Sequence, residues 1–322
     1  MRYLARRIVQ AVFLVIGVSL LSFLFTELAP GDYLAEMRLN PQISPQTLAG
    51  LRSQYGLDKP FAARYLHWVK SAARGEFGFS FAYNTPVAPL LRVRAKNTLL
   101  LTTLATLAAW LLAIPLGVWS AAKPGRFADR ACTTATTALL AVPDVLLALA
   151  FLLLAVRTGL FPTGGMMSRD FAEMGRWGQF KDLASHLILP VTALVLGSLP
   201  TLVRHVRATM IEVLRAPFLQ AARSHGIARQ RLLFIHALPA ALNPLIGLFG
   251  FSLAGLLSGS LLIEVVMSWP GIGPLLLEAI LSRDLYVVIG AVLFSTMFLV
   301  GGTLIADLLL FASDPRIRSE AT

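Results

Sequence analysis

The sequence predicts an all-α, polytopic membrane protein with six transmembrane helices, and three observations lead there. Hydrophobic residues make up 56% of the 322 positions and charged residues only 14%, with a mean hydropathy of +0.71. A soluble fold of this length needs more polar surface than that. Separate apolar runs each reach or nearly reach the roughly 20 residues that cross a ~30 Å hydrocarbon core. The 28 basic residues, against 17 acidic ones for a net charge of +11, flank these runs and are not interleaved with stacking aromatics, so they describe membrane topology and not a nucleic-acid surface.

The first run, Ile8 to about Phe25, follows the basic start Arg2, Arg6 and Arg7. It exceeds the core of a signal peptide and no small-residue cleavage site follows it cleanly, so it reads as an uncleaved first span with its N-terminus in the cytoplasm (region 1–29). Residues 30–96 are polar yet rich in aromatics, including Tyr55, Phe61, Tyr65, Trp68, Phe77 and Phe79. A connection this long and this aromatic predicts a small folded external subdomain with helices of its own. The remaining five spans fall near Asn97–Ala122, Cys132–Val156, Leu187–Val203, Ala240–Val266 and Tyr286–Ala312, within a membrane core of 97–312, and a tail of 313–322 follows. An even number of spans starting inside also ends inside. Lys123, Arg126, Arg130, the loop 204–239, Arg316 and Arg318 then fall on the cytoplasmic side, whereas Arg92, Arg94 and Lys96 close a long external loop and run against the charge rule.

Several residues inside or beside the spans stand out. Prolines and glycines within them are acceptable where neighbouring helices take up the freed backbone groups. Gly255 and Gly259 form a GxxxG pattern, which reads as close helix contact or as no special role. Ionisable residues in a membrane are functional candidates by default, here Asp144, Glu264 and Asp307. Asp144 follows Pro143, where a broken helix could open it to a water-filled path; Glu264 and Asp307 read better as interfacial side chains or helix-pairing salt bridges. Too few such charges are present for a proton or sodium relay. Cys132 is the single cysteine, so no disulfide is possible within the chain, and the five histidines lack metal-ligand spacing. No phosphate-cradling Gly-x-x-x-x-Gly-Lys-Ser/Thr sequence occurs, nor the commonest zinc or serine hydrolase signatures.

Between the fourth and fifth spans lies a basic island. Pro217 can open a helix at its first position, where its missing N–H costs nothing, and Gly226 can close it in a left-handed turn. A second short helix is expected from about Ala228 until Pro239 breaks it. Phe218, Ala221 and Ala222 at i, i+3 and i+4 give one face with an aromatic knob and two small residues, to which a partner's backbone can come close. A helix this short is marginal alone and needs tertiary or partner contacts.

Gln220-Ala221-Ala222, three residues, Gly226, ten residues, then Ala237-Leu238-Pro239 resembles the EAA loop of bacterial ABC importer permeases. Gln220 stands where Glu is usual, and His236 where Ile is usual, the latter matching the dipeptide, oligopeptide and nickel branch. Leu4-Ala5-Arg6-Arg7, the external Tyr55-Gly56-Leu57-Asp58-Lys59-Pro60 and Gly75-Glu76-Phe77-Gly78, Ser268-Trp269-Pro270-Gly271 after span five, and Asp314-Pro315-Arg316-Ile317 are similar to the same branch, so the likeness runs nearly the whole chain.

The resemblance implies a permease subunit in a bacterial inner membrane, with both termini cytoplasmic. It would pair with a second permease, two ATPase subunits that bind ATP and Mg, and an external solute-binding protein. It implies ATPase coupling through Pro217, Phe218, Gln220, Ala221, Ala222, Gly226 and His236, with Asp144 and Glu264 left as path or helix-pairing candidates. No catalytic residue, cofactor, metal or nucleic acid is expected for this chain. The competing class is an ion-coupled transporter or channel, which needs no ATPase and no such loop.

Overall fold

The computed structural model describes residues 2–28, 46, 50, 53 and 58–313. The motifs at 29–32, 44–45, 55–57 and 314–318 lie outside the described residues. The helices are α1 (Arg2–Leu28), α2 (Phe61–Ala72), α3 (Val87–Ala122), α4 (Phe127–Leu140), α5 (Asp144–Thr158), α6 (Arg176–Leu214), α7 (Pro217–Ser224), α8 (Leu238–Val266), α9 (Ile272–Leu281) and α10 (Leu285–Ser313). Two-residue strands β1 (Phe79–Ser80) and β2 (Thr85–Pro86) pair antiparallel between α2 and α3.

Among the described residues five helices are long and apolar enough to cross a membrane, and the pair α4 and α5, bent by 91° at its break, makes a sixth when counted as one span. The third span is therefore not one straight helix. Pro143 excludes the α conformation for Val142 and removes a backbone donor, so the chain stops at Leu140 and restarts at Asp144. Helices also outrun their apolar stretches. α3 begins at Val87 and carries Arg92, Arg94 and Lys96 on its first turns, ten residues before the expected span. α6 extends beyond its apolar stretch at both ends. Backbone hydrogen bonding continues into polar residues because nothing there breaks the helix.

The described residues cluster into two compact units, one within Leu99–Trp269 plus the segment from Leu299 onward, the other within Leu4–Thr98 and Pro270–Phe298. In the first, α6 is the central element and packs against α4, α5 and α8. Leu194, Val203, Val206 and Met210 of α6 are buried in that core. Small residues set the closest approaches. A β carbon on Gly117 would meet Val206 at 2.6 Å, and one on Gly250 would meet Ala306 at 2.3 Å. Gly255 and Gly259 by contrast have open space at that position, so close contact within the unit uses Gly250 and not the GxxxG pair.

In the second unit the aromatics that follow α1 in the chain, Phe61, Tyr65, Trp68 and Phe77, build a core with it. Phe23 is 1% exposed and lies edge-on to Phe61 and Tyr65, each at 5.6 Å, while Trp68 donates from Nε1 to the carbonyl of Phe77 at 3.1 Å. Buried Asp284, before α10, accepts from Ser80 Oγ at 2.6 Å and from the Ala82 amide at 3.1 Å, which pins the hairpin. Nothing in the local sequence announces that pairing, since the partners are 204 positions apart.

Candidate coupling site and translocation path

α6 ends at Leu214, and the chain turns through Arg215 and an extended Ala216 (φ −64°, ψ 143°) into Pro217, the first residue of α7. Gln220 Nε2 bonds back to the carbonyl of Arg215 at 2.9 Å, tying the turn. Gly226 closes α7 with φ +77° and its N–H on the Arg223 carbonyl at 3.0 Å. No atom lies within 4 Å of where its β carbon would be, so glycine serves conformation here and not space.

The eight-residue helix presents its faces differently from the expected grouping. Leu219 is 1% exposed, and Ala222, one turn on, packs half-buried against the same core. The outward face therefore consists of Phe218, 54% exposed, with Ala221 and His225, and Ala222 belongs to the inner side. Leu219 at i+1 from the aromatic is the anchor that fixes this rotation, since its burial outweighs that of an alanine methyl.

After Gly226 the chain turns again at Arg229–Arg231, widens into a π turn over Leu232–Ala237, and runs on as α8 without interruption at Pro239. The expected break at Pro239 does not occur, because the wide preceding turn accommodates a proline ring that an α turn would clash with. His236 sits half-buried in that π turn, with Leu232, Leu233 and Ala237 buried beside it. Behind α7 lies a cavity of 330 Å³ whose walls include Ala121, Ala122, Ile211, Leu219, Arg229 and Leu233. Arg229 reaches across to donate to the carbonyl of Ala122, one of the unsatisfied acceptors at the end of α3.

A densely bonded polar group of this unit is Asp129 on the first turn of α4. It is 4% exposed and takes both arms of a bidentate Arg207 fork, from Nε at 2.6 Å and from an Nη at 2.8 Å. Ser120 Oγ at the end of α3 adds a bond at 2.5 Å and the Gly125 amide one at 2.7 Å. Three helices and a turn thus converge on one carboxylate, a planar fork geometry that arginine supplies and lysine does not. The sequence marks Arg207 as part of the approach to the loop; Asp129, 78 positions away, carries no local signal.

The structure separates the three ionisable candidates. Glu264 is fully buried on α8, with Ser260 Oγ 3.5 Å from Oε1. Asp307 is also buried. Asp144, the first residue of α5, is exposed and lies against Gly197 of α6, where a β carbon would come within 2.4 Å of Oδ1. A charge held in hydrocarbon costs about 3 kcal/mol on insertion scales, so an exposed carboxylate on a span calls for water or a cation beside it.

With this geometry in place, comparison with known proteins identifies the lineage. Residues 113–319 match the family described as binding-protein-dependent transport system inner membrane component, and residues 1–102 match the N-terminal model of the same system. The chain belongs to this family. The permease is 34% identical to the oligopeptide transport system permease protein AppB of Bacillus subtilis, over 98% of each chain. It is 33% identical to the dipeptide transport system permease protein DppB of Escherichia coli, over 99% of each. Its fold matches a chain of the MetNI methionine ABC transporter in an inward-facing conformation, with a TM-score of 0.57 over 70% of this chain and 96% of that one at 17% identity. The permease is thus a multi-pass membrane component of an ABC importer, and the ion-coupled alternative is set aside by family membership.

Proposed function

We propose that this permease forms half of a path for peptides across a bacterial inner membrane and that α7 is the element through which ATPase subunits drive it. Peptides are the cargo named for the relatives AppB and DppB, which align along almost their whole length. A second homologous permease supplies the other half of the path, an external solute-binding protein delivers the cargo, and ATP and Mg are bound by the ATPases. Both termini and the loop 204–239 lie in the cytoplasm, and residues 30–96 form the external part.

The observation that carries this reading is the two-sided build of α7. Leu219 and Ala222 fasten it to the permease core, while Phe218 and Ala221 point outward on a helix too short to stand alone. An exposed aromatic beside a small residue, on a helix anchored to the core through Leu219, is a knob for a partner's groove. A push on it passes into α6 and α8, which flank it in the chain, while Gln220, Gly226 and His236 hold the turns that keep the push from being absorbed. The chain transmits motion and performs no bond chemistry.

Replacing Ala221 by Glu puts a charge into that close contact, where its desolvation is unfavourable. The variant is expected to reach the membrane and pair with its companion permease but to lose copurifying ATPase and peptide uptake. Wild-type uptake and wild-type ATPase recovery with Ala221→Glu would remove α7 from the coupling role.

A further inference from the structure

We propose that Asp144 and the surface of α6 around Gly197 form a cation-accepting subsite for the free ammonium end of a peptide passing through the permease. The proposal rests on peptide import as the function. Its starting point is depth. Between Asp182 and Arg204 the only ionisable side chain of α6 is His186, so this stretch, about 33 Å long at 1.5 Å per residue, is the apolar part of the helix. Gly197 lies about 10 Å inside its Arg204 end. The carboxylate resting on Gly197 is therefore within the hydrocarbon depth of the chain.

Asp144 has no hydrogen-bond or ion-pair partner among the described residues. Its place at the start of α5 does not neutralise it either. The positive end of the α5 dipole beside it is a partial charge and not a countercharge. An unbalanced negative charge at this depth is stable only where it faces water or a cation.

The neighbourhood offers acceptors. Glycine at 197 is what admits the carboxylate, because a β carbon would sit 2.4 Å from Oδ1 and 2.9 Å from Cγ. Three residues further on, Pro200 has no N–H to bond the carbonyl of Leu196, which leaves an acceptor on the residue adjoining Gly197. A carboxylate and a freed carbonyl match a group that only donates and carries one positive charge, which is the chemistry of a primary ammonium with its three N–H bonds. A discontinuous span whose broken ends meet cargo within the bilayer is an arrangement that transport paths use elsewhere.

The test uses the assembled transporter in proteoliposomes, its companion subunits freed of cysteine, with Cys132→Ser and Ala141→Cys so that this chain's one thiol stands three residues before Asp144. The cationic reagent methanethiosulfonate ethylammonium should label it about tenfold faster than the anionic ethylsulfonate, after correction for their rates with a free thiol. Asp144→Asn should bring that ratio close to one, and a free-amine dipeptide should slow labelling where its N-acetyl form does not. Asp144→Asn should also lower dipeptide uptake about tenfold while ATP hydrolysis stimulated by the binding protein persists. An equal ratio for both reagents, or no labelling because a companion subunit covers the thiol, overturns the subsite. So does a loss of copurifying companion permease in Asp144→Asn, which would make the residue an assembly contact. A clear charge ratio in a transporter that imports no peptide would instead keep the cation site and refute the peptide reading.

Discussion

Asp129 and Asp144 lie in the first turns of consecutive helices, yet one is held by four hydrogen bonds and the other has no partner among the described residues. Asp129 gathers Arg207, Ser120 and the Gly125 amide in a site 4% exposed. Asp144 rests against a glycine with nothing donating to it among the described residues. The same residue type in the first turn of two successive helices thus serves opposite ends. A saturated buried charge fixes helices together, because any movement leaves it unpaired at high cost. An unsaturated one retains its full capacity to bind something that comes and goes.

The contrast predicts a graded set of stability effects. Asp129→Ala should cost the most, about 3 kcal/mol, since it strands a half-buried Arg207 without its anion. A lowered thermal midpoint of the purified permease measures it, and the exchange Asp129→Arg with Arg207→Asp should recover part of the loss. If Asp129→Ala melted with the parent, the network would not be what holds α4 to α6.

The two glycines give an intermediate and more discriminating comparison. Gly226 is needed for its φ of +77° and has free space around it, so Val there should cost about 1–2 kcal/mol in strain while Asn, which tolerates the left-handed region, should cost clearly less. Gly197 is helical and needed for room, so the order reverses: Ala is the milder change and Asn the more damaging one. Thermal midpoints of the four variants decide it; equal ranking at both sites would erase the distinction.

The smallest effect is expected at Asp144 itself. Asp144→Asn removes no bond within the described chain, so stability should stay within about 0.5 kcal/mol of the parent. A midpoint shift as large as that of Asp129→Ala would mean that Asp144 is structural after all.

What could be read from the chain alone followed from local chemistry. Apolar runs located the crossings because hydrocarbon thickness sets their length, Pro217 and Gly226 bounded α7 because both act on their own dihedrals, and the spacing from Gln220 to Pro239 pointed to the family. Where the reading went astray, a neighbour decided the outcome. Pro239 passed without a break because a π turn had already widened the helix, and Ala222 turned inward because Leu219 claimed the core. Asp129 with Arg207, and Asp284 with Ser80, are pairings between distant positions, and one sequence gives no register for them. The two aspartates could not be told apart in sequence, since whether a carboxylate is saturated or bare depends on which side chains the packing brings to it. Local dihedral preference and hydrophobic length are written residue by residue; the partner of a charge exists only once the helices have met.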